Sequence, residues 1–112
     1  MTNNCRCLTT PYDHRDFASQ PIGIDETAGR FAEVTIETCR ACGRRWLHYL
    51  MEIEGISRSG RWYRGPVSDE VARTVRPEAA LAVLGSLAWR FAGGSYFASD
   101  GFTITGATDL VL

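Results

Sequence analysis

Phe31-Ala32-Glu33-Val34-Thr35-Ile36-Glu37-Thr38-Cys39-Arg40-Ala41-Cys42-Gly43-Arg44-Arg45-Trp46-Leu47-His48-Tyr49-Leu50-Met51 reads as two strands joined by a cysteine turn. In the first, Ala32, Val34 and Ile36 alternate with Glu33, Thr35 and Glu37, the period of a half-buried strand. In the second, from Trp46 to Glu54, Leu47, Tyr49, Met51 and Ile53 share one face. Trp46, His48 and Leu50 make the other face nearly as apolar, so this strand is expected to be covered on both sides. Gly43, directly after Cys42, suits the positive φ that such a turn demands. The pair is therefore a hairpin with two thiols at its tip.

The other two of the four cysteines, Cys5 and Cys7, stand near the start of the chain. A CxC turn and a CxxC turn can each offer two thiolates from one tight loop, and together they complete a tetrahedron around zinc. We take Cys5, Cys7, Cys39 and Cys42 as the ligands of one structural zinc ion. Iron in the same thiolates would share this spacing. A shell of four protein ligands has no open position at which water could be activated, so the zinc is expected to act on folding and not on a substrate. His14, beside Asp13 and Asp16, reads as a solvated loop group, and His48 as a packed or hydrogen-bonded strand residue.

The 112 residues fit one domain, 1–112, with 45% apolar and 22% charged residues. The formal net charge of −1 provides no global field to recruit nucleic acid or an anionic membrane. The start lacks the apolar run of a secretory signal, and the longest nearly apolar stretch, Ala79 to Trp89, is too short to span a bilayer. These features lead us to expect a cytoplasmic protein, where thiols stay reduced and metal is favoured over disulfides. Export by another route would make two disulfides the alternative.

Working outward from the hairpin, residues 8–30 show Pro11, Pro21, Gly23 and Gly29 without a sustained period and read as an irregular excursion pinned by metal at both ends. A third strand is expected over Arg61-Trp62-Tyr63-Arg64, ended by Gly65-Pro66. A short helix is expected from Ser68-Asp69-Glu70 to Val75. The main helix is expected over about 77–92, from Pro77 to Gly93-Gly94, with Ala80, Leu84, Leu87 and Phe91 in one stripe and Val83 and Trp89 off it. So apolar a helix needs cover on a second side, from a partner, from a second subunit, or from the 8–30 excursion or the C-terminal tail. Tyr96-Phe97 and Phe102-Thr103-Ile104 flank an Asp100-Gly101 hairpin signal. The expected fold is α+β, a small antiparallel sheet with a four-cysteine zinc knuckle at a hairpin tip and one main apolar helix.

The CxxCG turn between strands resembles the zinc knuckle of the zinc-ribbon group, over about residues 31–54 plus the Cys5 and Cys7 turn. The CxC turn departs from that group's usual CxxC first knuckle. CxC followed after 31 residues by CxxC is also similar to the zinc centre of the redox-regulated heat-shock chaperone family. That likeness implies oxidation of Cys5, Cys7, Cys39 and Cys42 to disulfides with release of zinc, although the family's large substrate-binding domain has no counterpart here.

Arg44, Arg45, Arg58, Arg61 and Arg64 interleave with Trp46, Trp62 and Tyr63, a combination able to hold phosphates and stack bases. With net charge near zero, a solvated face whose arginines pair with Glu33, Glu37, Glu52 and Glu54 is the simpler reading. No phosphate-loop, dinucleotide-binding, zinc-protease or nucleophile-elbow motif occurs, so no enzyme is expected. The leading expectation is a non-catalytic protein-interaction module, homodimeric or bound to another protein. The alternatives are nucleic-acid binding through the arginine and aromatic set, and a thiol redox switch.

Overall fold

A computed structural model describes residues 5–51, 60–94 and 101–110. Among these residues the chain forms one antiparallel sheet in sequential order: β1 (Phe17–Asp25), β2 (Ala32–Cys39), β3 (Arg45–Met51), β4 (Arg61–Val67), β5 (Trp89–Gly94) and β6 (Phe102–Thr105). Two short helices, α1 (Asp69–Thr74) and α2 (Ala80–Ser86), lie in the connection from β4 to β5. The fold is thus mostly β, which corrects the expected α+β arrangement with a main helix.

The helix expected over 77–92 is the largest discrepancy. A turn of 3-10 helix at Pro77–Ala79 leads into α2, which stops at Ser86 because Leu87 adopts an extended conformation. From Trp89 the chain is β5, paired to β4 and β6. An apolar run reads alike as a buried helix or as a strand covered on both faces. Here Trp89 and Phe91 supplied the strand preference that the helical stripe obscured. Ala82 and Ser86 of α2 stay exposed, while Gly85 is covered by the chain itself. Thr108 donates its backbone N–H to the Gly85 carbonyl at 2.8 Å, and Leu110 packs on the same core.

The 8–30 excursion likewise contains a strand, β1. It lies at the sheet edge, exposes most of its side chains, and shifts register between Pro21 and Gly23. Proline and a bulge are tolerated at an edge, and together they erased the alternation. Gly23 sits at φ +141°, with the Pro77 ring so close that a Cβ would lie 2.8 Å from Pro77 Cγ. Gly65 and Pro66 do not end β4, which continues to Val67. They pair with β3 alone, since the β5 ladder stops at Arg64 and Phe91. A side chain at Gly65 would run into Leu87 and Leu84, so glycine lets α2 pass close over the strand.

The expected hairpin of β2 and β3 is present, with Glu37 opposite Trp46 and Val34 opposite Tyr49. The short helix is α1, capped by the Ser68 side chain, which accepts from the Val71 N–H at 3.1 Å. Phe102-Thr103-Ile104 lies in β6, but its partner is β5; Tyr96, Phe97, Asp100, Ile53 and Glu54 lie outside the described residues.

The sheet is covered on both faces, as the composition of β3 suggested. On one face Val34, Ile36, Leu47, Tyr49 and Tyr63 pack under Ala72, Ala80 and Leu84 of the helices. On the other, Phe17, Trp46, Trp62 and Phe91 pack with Cys7 and Cys39. The second face is roofed by the N-terminal segment and carries the four thiols at one end.

Candidate metal centre

The cysteine turn closes β2 into β3. The Cys39 N–H donates to the Arg44 carbonyl at 2.9 Å, and the Gly43 N–H donates to the Cys39 carbonyl at 2.8 Å. Gly43 adopts φ +80°, the left-handed conformation expected of it. The N-terminal thiols are brought to this tip by a turn of 3-10 helix, Arg6–Leu8, and by the Arg40 N–H, which donates to the Asp16 carbonyl at 2.8 Å. β1 then begins opposite Cys39, at Phe17.

All four Sγ atoms lie within 4.8 Å of one another. Cys5 and Cys39 approach to 3.5 Å, and Cys7 and Cys42 to 3.6 Å, with all four cysteines free thiols. A zinc–sulfur bond of about 2.3 Å places the corners of a tetrahedron about 3.8 Å apart. The sulfurs therefore need to move by less than about an ångström to accept the ion. The residues fit the metal.

Protonation points the same way. Burial raises the Cys39 pKa, but the backbone N–H groups of Cys42 and Ala41, with the Cys5 and Cys42 thiols, outweigh it and bring the group down to about 7. Cys7 is pushed up to about 12, first by burial and then by its neighbouring thiols, with Arg44 acting in the opposite direction. Four crowded sulfurs cannot all ionise without a cation among them; a bound metal supplies that charge and releases the protons.

Next to the sulfurs, inside the second core, lies a network in which the expected arginine–Glu37 pairing is buried and not solvated. Arg64 is fully buried, and its Nε donates to Glu37 Oε1 at 2.8 Å. Its guanidinium carbon sits 4.0 Å from the Trp46 ring centroid and 4.2 Å from those of Tyr12 and Phe17. Burial lowers the Arg64 pKa, while Glu37, Tyr12 and Cys7 favour its charged form. Tyr12 hydrogen-bonds through its hydroxyl to His48 Nε2 at 3.1 Å, and its pKa rises to about 12 through burial and Glu37. The signal that could have revealed this network was β3. Once its Trp46 face is interior, the flanking Glu37 and Arg64 must be interior as well.

Of the residues expected to offer a nucleic-acid surface, Trp46, Trp62, Tyr63 and Arg64 are buried. Arg44 and Arg45 are half-buried at the cysteine tip, Arg45 3.6 Å from Asp69. Arg61 is exposed, and Arg58 lies outside the described residues. The set does not form one face. His14 is exposed, and His48 is largely buried and hydrogen-bonded.

His48 carries a pH prediction. Burial is the main cause of its lowered pKa, with Glu37 opposing, so the folded imidazole stays neutral. The unfolded chain accepts that proton at about pH 6.5. Stability is thus complete above that value and falls as pH drops below it, because the unfolded state binds the additional proton. Asp25 adds a lower stage. Burial raises its pKa, but hydrogen bonds from Tyr49, Thr27 and Arg30 prevail and lower it, so its contribution is present above about pH 4 and lost below. Thermal melts followed by circular dichroism are expected to shift down from about pH 7 to about pH 5, and His48→Gln is expected to reduce that shift. An equal shift in His48→Gln contradicts the assignment.

Among the described residues, no helix is long and apolar enough to cross a membrane. No protein-family model, curated protein or solved structure matches this chain, so what stands of the zinc-ribbon and redox-chaperone resemblances is the four-cysteine cluster itself.

Proposed function

We propose that this protein is a small non-catalytic β domain, closed by one structural zinc ion on Cys5, Cys7, Cys39 and Cys42, that acts as a protein-interaction module. The observation that carries the metal reading is the convergence of four sulfurs, from segments more than thirty residues apart, to within 4.8 Å. Four thiolates leave zinc no open position, which supports a structural and not a hydrolytic role.

The apolar helix that suggested a second subunit is reduced to α2, whose Gly85 is covered by Thr108 and Leu110. Exposed large apolar side chains occur instead at Ile24 and Phe31, 45% and 68% exposed at the end of the β1–β2 pair remote from the cysteines, and at Phe102 of β6, 59% exposed. Among the described residues β1 is also an edge strand of the sheet, a common site of strand addition.

Light scattering after size exclusion tests the association. Self-association that Phe31→Ser abolishes is the expected result for a homodimer, and capture of a partner that requires Phe31 is expected for a hetero-complex. A monomer that captures nothing removes the interaction role while leaving the zinc reading intact.

A further inference from the structure

Five buried polar side-chain atoms lack a hydrogen-bond partner among the described residues: Trp46 Nε1, Arg64 Nη1 and Nη2, and Arg90 Nε and Nη1. Three of the five belong to Trp46 and Arg64, in the same core cluster as, or in contact with, the residues that pack around Cys7 and Cys39. A buried donor left unpaired keeps its full desolvation penalty, so three in one place call for an acceptor. Glu37 takes only the Nε of Arg64. The rings of Tyr12, Phe17 and Trp46 crowd the guanidinium but are weak acceptors for its remaining N–H groups.

The sulfur cluster borders the same core through Cys7 and Cys39. Zinc brings two positive charges to four thiolates, leaving two net negative charges on sulfur at the mouth of an apolar core. Thiolates accept N–H hydrogen bonds, and an anion in such surroundings is stabilised by a fixed cation. Arg44 already lies beside Cys7 at the tip. Arg64 is the buried cation within electrostatic reach of the same sulfur.

We propose, resting on the zinc reading above, that Arg64 is the outer-sphere cation of the metal centre, with Trp46 Nε1 as a second donor, so that metal binding completes the polar interior of the sheet. Arg64 is then a positioning residue, acting on the metal through Cys7. On this proposal the metal and the Glu37–Arg64 pair form one cooperative unit, with Arg64 held to β2 through Glu37 and acting on the sulfurs electrostatically.

The test compares two variants that break the same buried ion pair, Arg64→Met and Glu37→Gln, in the full chain. Wild type must first bind zinc; if it does not, the zinc reading itself fails. Given binding, Arg64→Met is expected to weaken zinc, in competition with a chromophoric chelator, by about 10–100-fold more than Glu37→Gln does. With cobalt in place of zinc, Arg64→Met is expected to move the sulfur-to-metal charge-transfer band to lower energy, and Glu37→Gln to leave it in place. Equal zinc affinities in the two variants, with both bands at the wild-type position, would show a purely structural ion pair and overturn the proposal. Should Arg64→Met not fold, wild type loaded with an NMR-active cadmium isotope decides. Scalar coupling from cadmium to the Arg64 or Trp46 side-chain N–H is expected. Coupling confined to cysteine protons and the backbone amides of the Cys39 turn overturns it.

Discussion

Chelation of the proposed zinc is expected to abolish the cooperative unfolding transition of the whole chain, not merely to loosen its first residues. Structural zinc sites contribute about 10–16 kcal/mol of apparent binding free energy, whereas an entire domain is stable by only about 5–15 kcal/mol. The geometry explains why the loss spreads. Cys5 and Cys7 hold the N-terminal segment against the tip of β2 and β3, and that segment places Tyr12 and Phe17 over Arg64. Without metal the roof of the second core is released, exposing Trp46, Trp62 and Phe91 to water. Near-ultraviolet circular dichroism with a strong chelator, followed by added zinc, measures this. Loss of the aromatic signal that returns with zinc is expected; an unchanged melt after verified metal removal contradicts it. Cys39→Ser should reproduce the chelated state without chelator.

Trp46→Ala is expected to cost about 3–5 kcal/mol, the range for removing a large aromatic from a packed core. Trp46 is fully buried, stacks on Phe91 with centroids 5.8 Å apart, and meets Trp89 edge-on at 5.8 Å. It also covers Arg64, so its loss both opens a cavity and admits water to a buried ion pair. In a domain of about 5–15 kcal/mol this removes much of the total, and a metal-loaded melt should fall steeply. Trp46→Phe keeps a ring in the same space and is expected to lose less than half as much. Denaturant titration of the metal-loaded proteins separates the two. Equal losses would show that ring packing is not what Trp46 contributes.

The sequence made the hairpin, the positive-φ glycine and the four sulfurs legible because each depends on a local rule: alternation, backbone freedom and ligand spacing. What stayed hidden depends on neighbours. β5 resembled the rest of a helix because a strand buried on both faces carries no period of its own, and only pairing with β4 and β6 distinguishes it. β1 disappeared behind Pro21 and Gly23, residues that argue against a strand except at an edge or a bulge, where this one lies. Arg64 resembled a surface residue because arginine is rarely buried; its place became intelligible only with Glu37 on the neighbouring β2–β3 hairpin and three rings around it. The single-domain expectation, the absence of an enzyme and the cytoplasmic location remain readings of composition and motif.

Native mass spectrometry of the purified protein, before and after chelation, bears most directly on the tetrathiolate claim. One zinc ion per chain before chelation, a metal-free chain afterwards, and four thiols then open to alkylation is the expected set of masses. A chain isolated under reducing conditions without metal, or one in which the cysteines are joined as disulfides with nothing between them, would contradict the account.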